Sequence, residues 1–525
     1  MSSVKQVSTN SEVDERLSAL LTNGGAIRAI ASAVEGTIGP KGLDTMLVDK
    51  FGNVIVTNDG VTILEEMDVG HPAARMLINI AKAQEAEIGD GTTTATIMAG
   101  ALVSEGVNQA VKGVPVTRII EGIKLGIKRA QEEIKRRVQE IPGVEASLLR
   151  QIALVAGREN EDIAQLIIQA AQLMGEKKLK EPGFKLSDTV KAVEGSQSQV
   201  FLGTLLNKEP MNREMPKELD NVKILIIDDA LEPEIIEEEA LATESGFNRY
   251  LELQTQFASN LHKICSLGVK MVLVDRAVDD LAEEILTDQG ILVVQRVANS
   301  ELKKTAEHTG ARMIKRTGLR KTPEELSAYL GYAQKVYQDE KLEQIKILEG
   351  KGKPLATVLV GAATEEVVEE RERIAKDAAS SVQAALKGGI VAGGGATELA
   401  VSRELEELRR STRGMAAYGV DCVIEALKRP LAQIVTNAGF NALEAIGDVV
   451  AAQVEQGKDS LGINCDNGQV ADMLDLGVVD PALVKLHALR AAGEVAEAIL
   501  RINTIIKKRD ERVFTPEQKT EGLDF

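Results

Sequence analysis

The run Gly89-Asp90-Gly91-Thr92-Thr93-Thr94 places one carboxylate, two glycines and three hydroxyls within six residues. Asp and Gly suit a turn or a helix cap. After them Ala95, Ile97, Met98, Leu102, Val103, Val107 and Val111 recur at the spacing of a broad apolar helical stripe. The pattern predicts a helix that opens at the threonines. Its unpaired N–H groups and positive dipole end favour a phosphate over Gly91, and Asp90 is placed to hold a magnesium ion between phosphate oxygens. A plain helix cap accounts for the same six residues, so the hexamer alone leaves both readings open.

Other residues of suitable chemistry stand far from it in the chain. Asp59-Gly60 follows a strand pattern, where an acid is also an ordinary turn residue. Arg158, within Gly157-Arg158-Glu159-Asn160, has the reach for a terminal phosphate, although a loop arginine is commonly just solvated. Asp377 lies within a long helical pattern, four residues after Arg373, a natural ion-pair spacing. Gly393-Gly394-Gly395 joins an apolar run to a helical one but lacks the GxGxxG spacing of a dinucleotide turn.

The elements that must position these residues follow from periodicity. A helix is predicted from about Glu12 to Glu35, then the loop Thr37-Ile38-Gly39-Pro40-Lys41-Gly42. Strands at Met46–Asp49 and Asn53–Asn58, turning at Lys50-Phe51-Gly52, deliver Asp59; a helix from Pro72 to Ile88 delivers Gly89. Another helix, about Val116 to Glu140, stops at Pro142-Gly143, and helices near Ala146–Ala156 and Glu161–Met174 flank Arg158. From about Lys191 the pattern changes. Strands at Val222–Asp228, Val269–Asp275 and Ile291–Val297, with helices at Asp279–Asp288 and Asn299–His308, predict an α/β domain with parallel pairings. Its first crossover, between Asp229 and Gly268, far exceeds the usual loop of about 2–6 residues and suggests an acidic helical protrusion, or the core of a longer helix. A strand at Ala356–Val360 then leads to the helix of Asp377, and helical patterns return from Ala396 to about Val454. The loop Asn464-Cys465-Asp466-Asn467-Gly468, the segment Val479-Asp480-Pro481, a helix from Ala482 to about Lys507 and a polar tail complete the chain. Both ends are thus helical and the middle is α/β, which implies one helical domain built from both termini with the middle inserted through two connecting segments.

Composition narrows the function. With 525 residues the chain has room for about three domains. Its 62 basic and 80 acidic residues give a net charge of −18, which argues against nucleic acid as a partner, and so do 2% aromatic residues without a Trp. Cys265, Cys422 and Cys465 form no ligand motif and read as reduced cytosolic thiols. The start has no signal-type apolar region, and no apolar run approaches the roughly 18 residues of a membrane span, so a cytoplasmic protein is expected.

Five fragments in order, TIGPKG (37–42), NDGVTIL (58–64), GDGTTTAT (89–96), LVGAATEE (359–366) and IVAGGGA (390–396), resemble those of a chaperonin subunit, and the match extends over essentially the whole chain. The long protrusion and Gly290–Arg296 resemble the thermosome branch with its built-in lid, whereas GDGTTTAT matches bacterial chaperonins and the tail lacks their Gly/Met repeat; the third chaperonin group of some bacteria is similar to this mixture.

The resemblance implies a multidomain fold. Its parts are a mainly α-helical equatorial ATPase domain from both termini (1–141 and 391–525), a small α+β intermediate hinge domain (142–190 and 355–390) and an α/β apical domain (191–354) with a helical protrusion at about 230–262. It implies ATP or ADP with Mg2+, and a monovalent cation such as K+, as cofactors. Thr37, Ile38, Gly39 and Pro40 would line the nucleotide, with Gly39 and Pro40 at phosphate and ribose. Asp90 would bind the metal, and Gly91, Thr92, Thr93 and Thr94 would cradle phosphates. Asp59 and Asp377 would position the attacking water, Gly394 would approach sugar or base, Asp480 the ribose and Cys465 the adenine pocket. The archaeal type has a lysine where Arg158 aligns. Because Asp377 falls on the hinge, hydrolysis would require closure. Implied partners are further copies of the chain in two stacked rings and non-native polypeptide clients, without a separate lid protein. A metabolic kinase or ligase is the competing class, and the sequence has no GxxxxGK[ST] loop to support it. A scaffold that merely binds nucleotide is the other, and the paired acids Asp59 and Asp377 oppose it.

Overall fold

The computed structural model describes residues 5–8, 11–15, 17–48, 50–52, 54–234 and 243–508. It forms two compact units, Met1–Glu140 with Gly388–Phe525, and Ile141–Lys387.

The first unit is helical. Its central element is Thr92–Val111, whose buried residues Ala95, Ile97, Met98, Ala99, Leu102, Val103 and Val107 lie on more than one face. Such an element must be enclosed, and Leu17–Glu35, Pro72–Glu87, Ala417–Asn437 and Ala482–Leu500 pack around it. Leu17–Glu35 is the one helix among the described residues long and apolar enough to cross a membrane by length and composition, where none was expected. Its Leu20, Ile27, Ile30, Ala31 and Val34 belong to the core of this unit.

The expected helix ends shift where β-branched residues intervene. The final helix stops at Leu500, and Thr504–Lys508 pairs antiparallel with Ser11–Glu15, Ile506 opposite Val13. Thr504, Ile505 and Ile506 favour an extended backbone, so neither terminal helix reaches its expected limit. The expected tail beyond 508 lies outside the described residues.

The second unit contains an eight-stranded mixed sheet. Its order is Val190–Glu194, Ala356–Ala362, Gln199–Leu206, Gln344–Gly350, Gly331–Asp339, Glu218–Ile227, Met271–Val274 and Leu292–Val294. The last three pair in parallel, as expected, with the helices Glu244–Ser266 and Asp280–Asp288 as crossovers. Val190–Glu194, Gln199–Leu206, Gly331–Asp339 and Gln344–Gly350 escaped sequence reading because they mix polar residues with the apolar ones, and the sheet runs on across the boundary expected near 354. Within the protrusion expected at about 230–262 the residues differ in burial. Leu231, Phe257 and Leu261 are core residues, whereas Phe247, Tyr250 and Leu251 are exposed; residues 235–242 lie outside the described part.

One buried base marks this unit. His308, only 2% exposed, accepts the Gly350 N–H on Nε2 at 2.9 Å. Burial pushes its pKa below the ordinary histidine value, against a smaller opposing contact with the Lys353 backbone. The unfolded chain therefore takes up a proton at about pH 6.5 before the folded one does, so stability falls as pH drops through that value. Between pH 7.5 and 5.5 the parent is expected to lose more stability than His308→Gln in chemical denaturation; equal losses would contradict this.

Candidate functional site

The helix Thr92–Val111 begins without a side-chain cap. Gly91 occupies the cap position at φ 79°, in the left-handed region, and having no side chain it makes no cap hydrogen bond. The Asp90 carboxylate instead accepts the N–H of Gly91, at 2.5 Å. The cap residue therefore contributes no side-chain oxygen to the leading N–H groups, and a helix start of this kind suits an anion.

Gln84 holds this turn from beneath. It is fully buried, and its Nε2 donates to the carbonyls of Asp90 at 2.7 Å and Val484 at 3.4 Å. Its Oε1 lies 2.5 Å from Nδ1 of His487. A Cβ at Gly91 would fall 2.4 Å from Cγ1 of Val484, so the turn is pressed onto the first turn of Ala482–Leu500.

Asp59 arrives on the hairpin of Thr45–Val48 and Val54–Thr57. It caps the short helix Gly60–Glu66, its Oδ2 accepting the Thr62 N–H at 2.9 Å and the Thr62 hydroxyl at 2.7 Å. The turn-residue reading is therefore true of Asp59, and the fold adds a second fact. A Cβ on Gly60 would lie 2.5 Å from the Thr93 hydroxyl oxygen, which seats the Asp59–Gly60 corner directly against the threonine turn.

The loop from Thr37 to Pro40 is built on the helix Ala417–Asn437. Asn437 donates to the carbonyls of Glu35 and Ile38, each at 2.9 Å, and Gly39, at φ 90°, rests on Ile434. Thr37 is buried, its hydroxyl bonded to the Val34 carbonyl at 3.0 Å, while Gly39 and Pro40 are exposed. An ion pair of 2.8 Å from Lys41 to Asp466 brings the Cys465 loop alongside. Burial, then the Asp466 charge, pushes the Cys465 thiol up.

The glycine run reaches the same helix. Gly395 leaves no room for a Cβ against Leu431, Gly394 has φ 62°, and a Cβ at Gly393 would sit 3.2 Å from Oδ2 of Asp480. The strands Ile390–Ala392 and Val479–Pro481 pair antiparallel with Val391 opposite Asp480. Asp480 in turn contacts Lys485 at 2.6 Å, and Lys485 contacts Glu398 at 2.6 Å.

Thr37 to Pro40, Asp59, Asp90 to Thr94, Gly394, Cys465 and Asp480 thus all belong to the first unit. Arg158 and Asp377 belong to the second. Arg158 has φ 53° and is ion-paired with Glu370. Arg373, expected to face Asp377, pairs with Glu370 as well. Gln84, Glu398, Val484 and Lys485 were missed by sequence reading: a buried Gln or Lys in a helical pattern carries no motif.

Among the described residues no group of three or more His, Cys, Asp or Glu side chains could hold a metal. Magnesium is usually held by one or two carboxylates together with substrate phosphates. One acid, Asp90, beside an uncapped helix start therefore fits magnesium carried on a nucleotide.

A family model for the TCP-1/cpn60 chaperonin family matches residues 30–510. The chain belongs to that family. It is 36% identical over 502 residues to a thermosome subunit of Pyrococcus abyssi, covering 92% of this chain and 90% of that one. A thermosome subunit of Methanocaldococcus jannaschii is 34% identical over 515 residues, covering 95% and 93%. The fold also matches a crystal structure of a group III chaperonin in the open state, with a TM-score of 0.83 and 48% identity over 94% of this chain and 99% of that one. This is the multidomain chaperonin fold, mainly helical with a mixed sheet, and membership supports ATP-dependent chaperone function.

The turn gives a direct test of its packing. Gly91→Ala combines a left-handed backbone with the Val484 clash and is expected to destabilise the chaperonin by about 2 kcal/mol or more in denaturant titration. Adding Val484→Ala removes the clash alone. That double variant should be less destabilised than expected from summing the two single variants, and strict additivity would contradict the contact.

Proposed function

We propose that this chain forms a cytoplasmic folding chamber: copies of it in two stacked rings capture non-native polypeptides, enclose them beneath a built-in lid and release them in an ATP-driven cycle. One observation above all supports the ATPase part of this reading, the seating of the Asp59–Gly60 corner on the uncapped threonine turn. A carboxylate beside a free helix start is what a water-orienting acid next to bound phosphate requires.

In this reading the N–H groups at Gly91 to Thr94 receive phosphate oxygens, and Asp90 holds magnesium. Bound Mg2+ supplies charge neutralisation at the phosphates, and K+ is the accompanying monovalent ion. Thr37 to Pro40 and Gly394 line the nucleotide, Asp480 binds ribose and Cys465 borders the adenine. Asp59 orients the attacking water together with Asp377. Residues 1–141 and 391–525 form the equatorial ATPase domain, 142–190 and 355–390 the hinge, and 191–354 the client-binding domain. Arg158, paired with Glu370, contacts nucleotide only after exchanging that partner.

Two surfaces support assembly and capture. The hairpin exposes Met46, Val48, Phe51, Val54 and Val56, an apolar surface suited to contact between copies. Phe247, Tyr250 and Leu251 expose another on the helix proposed to carry clients and lid.

Electron micrographs of the purified protein should show double rings whose ends close on addition of ATP; monomers or small dimers would overturn the chamber. Asp377→Ala is expected to bind ATP as the parent does while losing turnover by about 100-fold or more, the scale typical of general base loss. Undiminished turnover would remove Asp377 from the catalytic set.

A further inference from the structure

Lys485 is an enclosed cation with no part in the reading above. It is 7% exposed, in the first turn of Ala482–Leu500, with its Nζ 2.6 Å from Oδ2 of Asp480 and 2.6 Å from Oε1 of Glu398. Burial would push the ammonium down, but Asp480 and Glu398 together hold it above the ordinary lysine value.

The two acids are not equivalent. The Glu398 side chain is 2% exposed and its Oε2 is buried without a hydrogen-bond partner, whereas the Asp480 side chain is 30% exposed. One end of the lysine bridge is therefore sealed in the core, and the other reaches the surface beside Gly393. Buried ion pairs are often no more stabilising than apolar residues of similar volume, so stability alone is a weak reason for this one.

We propose that Lys485 is a positioning residue for nucleotide binding: anchored on Glu398, it fixes the Asp480 carboxylate so that Oδ1 accepts from the ribose hydroxyls. This rests on the reading of Asp480 as the ribose contact. A carboxylate suits that task because it accepts from two adjacent hydroxyls without needing a proton of its own. The sugar is remote from the reacting phosphate, so loss of its contact weakens binding of ground and transition states alike and appears in KM rather than kcat.

The test uses the full-length protein and three variants, Asp480→Asn, Lys485→Met and Lys485→Met with Glu398→Gln. The double variant removes the uncompensated buried charge, so it keeps the test open where Lys485→Met fails to fold. Calorimetric ADP affinity, ATP KM and kcat, and discrimination against 2′- and 3′-deoxy-ATP are measured. Asp480→Asn and the double variant should each weaken ADP binding and raise KM about tenfold, the scale of one hydrogen bond to a charged group. In both, kcat should stay within about twofold and discrimination against the deoxy nucleotides should fall. A folded double variant with parental affinity and discrimination would make Lys485 purely structural and overturn the proposal. Parental values in Asp480→Asn would instead overturn the ribose reading beneath it.

Discussion

A buried 20-residue helix that starts without a capping side chain is the constraint on which the first unit depends. Its leading N–H groups need a partner, and a glycine at the cap position brings them no side-chain acceptor of its own, an arrangement suited to a ligand anion. A capping Ser or Asp at position 91 would meet this need locally. Gly91 cannot, and its left-handed backbone and close approach to Val484 make glycine the residue that fits. The same choice thus leaves the cap position without a side chain and lets the turn settle on Ala482–Leu500.

That helix joins the two ends of the chain. Val484 meets the Asp90–Gly91 turn, with Gln84 bonded to both, and the next residue, Lys485, holds Asp480 and Glu398. On a second helix, Ile434 and Asn437 carry the Thr37–Pro40 loop while Leu431 carries Gly395. Residues from both termini are therefore fixed relative to each other by two helix surfaces. This is the preorganisation a binding site needs, since the cost of arranging its loops is met on folding.

Much of this was legible in sequence, for reasons that differ by element. The helix after Gly91 showed itself through a long apolar period, the hairpin to Asp59 through its Lys-Phe-Gly turn, and the parallel strands through short, wholly apolar runs. Four sheet strands did not, because their partners rather than their own composition make them extended. The terminal strands failed similarly: Ser11–Glu15 is polar and finds its pairing only with Thr504–Lys508. At the site, Asp90 and the threonines were visible as a motif, but their neighbours were not. The contact of Gly60 with Thr93 and of Gln84 with the Asp90 carbonyl are tertiary facts, and no local pattern encodes them. Arg373 shows the converse, since helical spacing offered it Asp377 while the fold also supplied Glu370.

The most direct measurement is an electron cryomicroscopy structure of the protein with Mg2+ and ADP. Phosphate density should lie over the N–H groups of Gly91 to Thr94, with metal density at Asp90 and the sugar at Asp480. Nucleotide density located elsewhere, or phosphates held away from that helix start, would contradict the assignment of the site.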